Sequence, residues 1–348
     1  MLEDELDYLL GVDTHRDEHV LAVVTAPAGA VVAGSRVAAS RRGYQEALCF
    51  AERYAAGRRV WAIEGTGSYG AGLARFLAER GEVVLELSRT ARAERRLAGK
   101  DDALDAVRTA RAALASETLA LPRAGERREA LRLLLAARRS AVDVRRQALG
   151  QLRAVIVTSP DPLRDELRRL PLGQLLDRCS RLRRTHSTAD HLATRVVLRS
   201  LARRVQAATA EAEELEREIL AQVGALAPAL LDEPGVGPIV AAQLIVAWSH
   251  RGRLRSEACF ARLAGVAPLP AASGQTVRHR LSRGGDRQLN RALHTIVLHR
   301  RQHDPQTRDY IARRIAEGKS RHDATRLLKR YLARHLYRLL QNQEPLMP

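Results

Sequence analysis

Three short apolar runs, 9–15, 20–24 and 30–37, open the chain so close together that an antiparallel meander is the economical way to pair them. Ser40 can then cap a helix over 40–53, with Tyr44, Ala47, Leu48 and Phe50 as its apolar positions. A buried strand is expected at 59–64, a helix over 69–80, a strand at 83–87, and after it a helix pair containing Asp102 and Asp105. This order, βββαβαβα, predicts an α/β unit with a mixed sheet covered by helices.

In open sheets of this kind, sites gather beyond the carboxyl ends of the strands. Asp13 ends the first strand and Glu64 the fourth. The stretch Lys100-Asp101-Asp102-Ala103-Leu104-Asp105-Ala106 reads as the opening turns of a helix, with Asp102 and Asp105 on one face. Acids in a first turn also suit the positive end of a helix dipole, so this pair alone does not demand a ligand. Four carboxylates meeting at one sheet edge are different, because they repel unless cations lie between them. Two divalent ions about 3.5–4 Å apart can serve both the attacking and the leaving oxygen of a phosphoryl displacement. Magnesium keeps part of its water shell, so about four carboxylates suffice to hold such a pair.

The charge balance points the same way. Lys and Arg number 58 against 40 Asp and Glu, a formal +18 in 348 residues, which suits a polyanionic partner such as nucleic acid. Aromatics make up only 3% and no apolar run is long enough to span a bilayer, so a membrane role is not expected. The acidic first residues are unlike a signal peptide, and a cytoplasmic location is the expectation. Cys49, Cys179 and Cys259 are odd in number and widely spaced, fitting neither a disulfide framework nor a zinc knuckle; each reads as small apolar filler. His15 and His19 are four apart, but at a strand junction, and read as solvated turn residues. Gly65-Thr66-Gly67-Ser68-Tyr69-Gly70 could cradle a phosphate, yet it lacks a P-loop's Lys-Ser/Thr ending, and a tight strand-to-helix turn needs glycines anyway.

Beyond a break at 122–125, nine arginines against three acids over 123–153 mark a long basic helix. A second break falls at 158–162. Residues 187–223 then form one long helical pattern without Gly or Pro, an arm expected to pair with another helix in the chain or across a dimer. Pro234-Gly235-Val236-Gly237 has the look of a helix-hairpin-helix turn, whose backbone amides could meet a DNA phosphate, although an ordinary glycine turn fits the motif equally. Ser273 sits in a small-residue turn before Arg278, His279, Arg280, Arg283 and Arg287; by itself a serine before glycine is a turn residue. From 278 to 338, seventeen basic residues face five acidic ones, two-thirds of the whole chain's excess. With few aromatics to stack bases, this segment is expected mainly to contact phosphates.

Gly-Val-Asp-Thr-His, Ile-Glu-Gly-Thr-Gly and Lys-Asp-Asp-Ala-Leu-Asp-Ala resemble the three motifs of the RuvC-like, RNase H-fold domain of IS110-family transposases. Gly-Val-Ala-Pro, Ser-Gly-Gln and Leu-Ser-Arg-Gly-Gly-Asp-Arg-Gln-Leu-Asn-Arg-Ala-Leu are similar to the C-terminal transposase domain of the same family. The likeness runs over most of 7–118 and 228–300. It implies a catalytic set of Asp13, Glu64, Asp102, Asp105 and Ser273, the acids holding Mg2+ and the serine joining covalently to DNA. Asp101 falls outside the set, and Ser273 rather than Ser282 is the matching serine. Where the family has Asn-x-x-Leu-Arg after the two glycines, this chain has Asp286 and Asn290 at the first and fifth positions, which puts the family roles of those positions in doubt. The resemblance further implies a coiled-coil arm, a homo-oligomer (dimer or tetramer), DNA partners at element ends and target, and a structured guide RNA encoded by the element. The expected architecture is α/β plus all-α: an RNase H/RuvC-like domain at 1–120, a helical arm at 121–227, and a basic helical domain with a helix-hairpin-helix at 228–348. Nucleic acid is expected to meet Gly235, Gly237, Arg278, Arg280, Arg283 and Arg287. Three other readings remain open: a junction endonuclease using water, a non-enzymatic basic DNA-binding protein, and an ATPase of the related actin-like fold binding near 65–70.

Overall fold

The computed structural model describes residues 6–87, 102–116, 120–183, 188–270, 279–280 and 284–342. They fall into two compact units, Met1–Ala124 with Gly252–Leu254, and Gly125–Arg251 with Arg255–Pro348.

The first unit is a five-stranded sheet in the order β3-β2-β1-β4-β5, formed by β1 (Tyr8–Thr14), β2 (Glu18–Thr25), β3 (Val31–Ala38), β4 (Arg59–Glu64) and β5 (Val84–Leu87). The first three strands pair antiparallel and β1, β4 and β5 run parallel, a mixed sheet consistent with an RNase H-like DEDD fold. The meander and every expected element from 9 to 87 are present, because each follows from alternation or a cap that is local in the chain. Helix α1 (Arg41–Tyr54) starts where the Ser40 hydroxyl accepts the Gly43 amide, and α2 (Ala71–Ala78) follows the glycine turn.

Strand alternation divides the core in two. Leu10 and Val12 point to one face and pack with Trp61, Ile63, Leu73 and Leu77. Leu9 points to the other, where Ala62, Ala110, Ala113 and Leu114 enclose it under helix α3 (Asp102–Leu114). At the amino end of β4 the Glu82 carboxylate accepts from Arg59 Nε at 3.0 Å, Arg59 Nη2 at 2.5 Å and Trp61 Nε1 at 2.7 Å. His19 corrects its expected solvated setting: it is fully buried, its ring stacked on Tyr44 of α1 with centroids 5.8 Å apart. It stands on β2 rather than in the turn, and the pattern of the strand carries it inward.

The second unit is helical. The long helices α4 (Glu126–Val157) and α7 (Ala189–Leu226) lie alongside each other antiparallel, with Arg138 bonded to Glu216 and with Ala148 and Leu152 packed in one core with Leu198, Leu201 and Val205. The arm thus finds a partner helix within the chain. Two short helices that the sequence did not disclose, α5 (Asp161–Leu167) and α6 (Leu172–Ser180), close that core with Leu163, Leu167, Leu175 and Cys179. Burial pushes the Cys179 thiol up to about 11, whereas Cys49 and Cys259 are exposed and so are not apolar filler. The rest comprises α8 (Pro238–Trp248), α9 (Glu257–Leu263), a small pair β6 (Leu269–Pro270) and β7 (His279–Arg280), and α10 (Arg287–His303), α11 (Pro305–Ala316) and α12 (Arg321–Gln341). Asp286, Asp304 and Ser320 cap the last three. No described helix is long and apolar enough to cross a membrane.

Candidate metal centre

The approach of α3 to β1 is set by the absence of a side chain. A Cβ on Gly11 would lie 2.1 Å from the Ala106 carbonyl oxygen and 2.9 Å from the Ala110 Cβ, so the helix rests directly on the strand backbone. Two residues along the strand from Gly11, on the same face, stands Asp13. One helical turn before Ala106 stands Asp102. The two steps are of similar length, and the small-residue contact therefore brings one carboxylate opposite the other.

His15 joins them. Its Nε2 lies 3.2 Å from Asp13 Oδ2 and 3.7 Å from Asp102 Oδ2, and single ligand atoms of Asp13, His15 and Asp102 all lie within 4.8 Å of one another. It lies in the turn after β1 with its side chain 40% exposed, and what the reading as a solvated turn residue missed is its contact with both acids. The useful signal was its place two residues after Asp13, which keeps it on the same side, rather than its spacing from His19. Asp105 and Glu64 stand outside that triad. Asp105 is bonded to Arg108 at 2.7 Å, and its charge is nonetheless felt at Asp13. Glu64 follows Ile63, the register partner of Val12, so it stands beside Asp13 at the carboxyl edge of the sheet. The Thr14 hydroxyl donates to the Glu64 carbonyl at 2.9 Å and ties the two strand ends together.

Burial raises the pKa of Asp13 above the usual carboxylate range; His15 opposes that shift, and the negative charges of Asp105 and Asp102 add to it. A carboxylate destabilised in this way is relieved by a cation, and the donors, carboxylate oxygens with one imidazole, are of the type that binds divalent ions. The residues present fit such an ion.

The neighbouring glycine turn closes upon itself. The Gly65 carbonyl accepts from the amides of Ser68 and Gly70 and from the Ser68 hydroxyl, and Gly65 has φ +72°. That accounts for its glycines as turn chemistry.

In the second unit, Gly235 (φ +82°) lies against α10, where a Cβ would meet His299 and the Ile296 carbonyl at 3.2 Å, and Gly237 is the N-cap of α8. Arg300 anchors this turn through the Pro234 carbonyl and Glu233, both at 2.8 Å. Ser273, Arg278 and Arg283 lie outside the described residues, as does Asp101. Arg280 is in β7, opposite Leu269, and Arg287 is exposed in the first turn of α10. The two departures from the family pattern are structural. The Asp286 carboxylate accepts the amides of Gln288 and Leu289, and Asn290 donates to the Ala264 carbonyl while accepting from Lys329.

Two family models match the chain. One, described as a transposase and named for the IS110 DEDD domain, covers residues 10–159, and the other, described as "Transposase IS116/IS110/IS902 family", covers 227–312. The "Insertion element IS110 uncharacterized 43.6 kDa protein" of Streptomyces coelicolor is 33% identical over 150 residues, a match covering 42% of this chain and 37% of that protein. The matched stretches take in both the carboxylate edge and the basic helix α10, and the chain belongs to the IS110 family of transposases.

Proposed function

We propose that this chain cuts and rejoins DNA to move an insertion element. The observation that carries the reading is the meeting of Asp13 and Asp102, with Asp105 acting electrostatically on Asp13, at the carboxyl edge of an RNase H-like sheet. In this reading Asp13, Glu64, Asp102 and Asp105 hold Mg2+, and His15 orients the carboxylates of Asp13 and Asp102. Bound there, the ion would supply Lewis-acid polarisation of a phosphate oxygen.

Ser273 is the proposed nucleophile. Its oxygen forms a bond to phosphorus as the bond from phosphorus to the leaving sugar oxygen breaks; the serine proton passes to a base and the leaving oxygen takes up a proton. One ester replaces another, so the energy of the broken bond is retained and rejoining requires no nucleotide cofactor. Arg278, Arg280, Arg283 and Arg287 neutralise the scissile phosphate and its neighbours. Gly235 and Gly237, as a helix-hairpin-helix turn, offer backbone amides to a DNA phosphate without reading sequence. The chain is divided as a metal-binding domain at 1–120, an arm at 121–227 with coiled-coil character, and a transposase domain at 228–348. It works as a dimer or tetramer in the cytoplasm, and an RNA encoded by the element selects target and donor.

The test incubates the protein with magnesium, end-labelled DNA of the element ends and the flanking transcript, then looks for label that stays on the protein after denaturation. Wild type is expected to form the adduct, whereas Ser273→Ala and Asp102→Asn are expected to form none. Cleavage by Ser273→Ala without any adduct in the wild type would identify a nuclease using water instead. Unchanged activity of Asp102→Asn would remove the metal centre from the reaction.

A further inference from the structure

Aromatic side chains are scarce here, three Phe, seven Tyr and two Trp in 348 residues, which makes their positions informative. Two tyrosines meet on the surface of the most basic part of the chain. Tyr310 on α11 and Tyr331 on α12 touch edge to face, with centroids 6.0 Å apart and planes at 84°. Tyr331 is 51% exposed. Two guanidinium groups accompany the pair, Arg314 at 5.2 Å and Arg313 at 5.8 Å from the Tyr310 centroid.

An edge-to-face contact holds a ring while covering at most one face of one partner. Such a pair therefore braces Tyr331 and leaves a ring face available to a flat ligand. Arg314 is bonded to Glu317 at 2.7 Å, so that guanidinium is also held in place rather than swinging in solvent. Aromatic rings beside cations in a basic groove are what unpaired bases stack on, because every base offers a π-face and every nucleotide a phosphate. The charge decides the occupant. Seventeen basic residues against five acidic ones over 278–338 suit a polyanion, and an apolar face of another protein would find little complement among these arginines.

We infer that Tyr331, braced by Tyr310 with Arg313 and Arg314 over the Tyr310 ring, is a stacking platform for unpaired nucleotides of DNA or RNA. This deepens the nucleic-acid reading above and rests on it. It also adds base stacking to the expectation that the basic segment mainly contacts phosphates. Base stacking and base pairing compete for the same base, so the platform favours single strands, loops and displaced ends over duplex.

The experiment uses the full chain with single-stranded oligonucleotides carrying 5-iodouracil, one in a DNA and one in an RNA backbone. After irradiation, the crosslinked peptide is identified by mass spectrometry, and affinities of wild type, Tyr331→Ala and Tyr331→Phe are measured for single strand and duplex. Crosslinks are expected at Tyr331 or Tyr310, and the stronger of the two backbones identifies the natural strand. Tyr331→Ala should weaken single-strand binding about tenfold and leave duplex binding within about twofold, while Tyr331→Phe keeps the wild-type affinity. Equal losses for both forms, no loss in either, or crosslinks only elsewhere would overturn the platform and leave the basic surface as a phosphate contact. A Tyr331→Ala variant with altered oligomeric mass would assign this face to a second copy of the chain and also overturn it. If neither single strand nor duplex binds at low salt, the nucleic-acid reading beneath it fails as well.

Discussion

The two ends of one sheet treat a carboxylate in opposite ways. At the amino edge, Glu82 accepts three hydrogen bonds from Arg59 and Trp61, and the Arg59 guanidinium holds its carboxyl below the usual range. At the carboxyl edge, burial and two neighbouring acids push Asp13 above that range. Both groups are only slightly exposed, with Glu82 at 13% and Asp13 at 18%. The amino end is thus built for stability, while at the carboxyl end burial and stored like-charge repulsion keep Asp13 raised although His15 offsets part of the shift. Structural corners satisfy their charges, and sites keep a charge unsatisfied for a ligand.

The largest effect is expected where a satisfied group is removed. Glu82→Ala leaves Arg59, 15% exposed, and the buried Trp61 indole without their acceptor, and should cost about 3 kcal/mol in urea unfolding. Because the Glu82 carboxyl is held low, its contribution is present above the usual carboxylate range and is lost as pH falls through its depressed value. The variant should therefore also flatten the acid limb of the stability curve. A cost below about 1 kcal/mol would place the corner among ordinary surface ion pairs and end the contrast.

Next comes the contact that aligns the site. Gly11→Ala puts a methyl where the Ala106 carbonyl stands, so α3 must lift from β1, at about 1–3 kcal/mol. The sharper consequence is for the cation. If the Gly11 contact sets the distance between Asp13 and Asp102, added Mg2+ should raise the melting temperature of wild type and leave the variant unmoved. Equal magnesium stabilisation of both proteins would show that the carboxylates find each other without that register.

How much of this was legible in the sequence follows from what is local. The strands, the Ser40 cap and the acid pair of α3 are written in short-range pattern, and the structure shows each. Asp13 was legible because it closes a strand. The Gly11 contact was not, since nothing near Gly11 announces that two alanines far along the chain will sit on it. The place of His15 against the carboxylates was not legible for another reason, as it depends on α3 bringing Asp102 to the β1–β2 turn. Helix α5 follows Pro160, within a stretch that reads as a break, and α6 follows Pro171; each proline stands at the N-cap, where its fixed φ and missing N–H do no harm. The tyrosine pair depends on α11 and α12 folding against each other, which pattern within either helix does not reveal.

The smallest effect is the most diagnostic, because its sign reverses with the ligand. In the absence of divalent cations, Asp13 has a higher pKa folded than unfolded, so the folded state binds the extra proton and stability declines as pH rises through that interval. Asp102→Asn removes one of the charges responsible. Burial is the larger cause and His15 already offsets part of it, so the gain in chelator at neutral pH should be below about 1 kcal/mol. With magnesium at ten times its dissociation constant, wild type should gain about 1.4 kcal/mol by mass action. The variant, lacking a ligand, should gain far less, and the order of the two proteins should invert. If Asp102→Asn is the less stable protein in chelator as well, the carboxyl edge resembles the Glu82 corner after all, and the stored repulsion is not what readies this site for a cation.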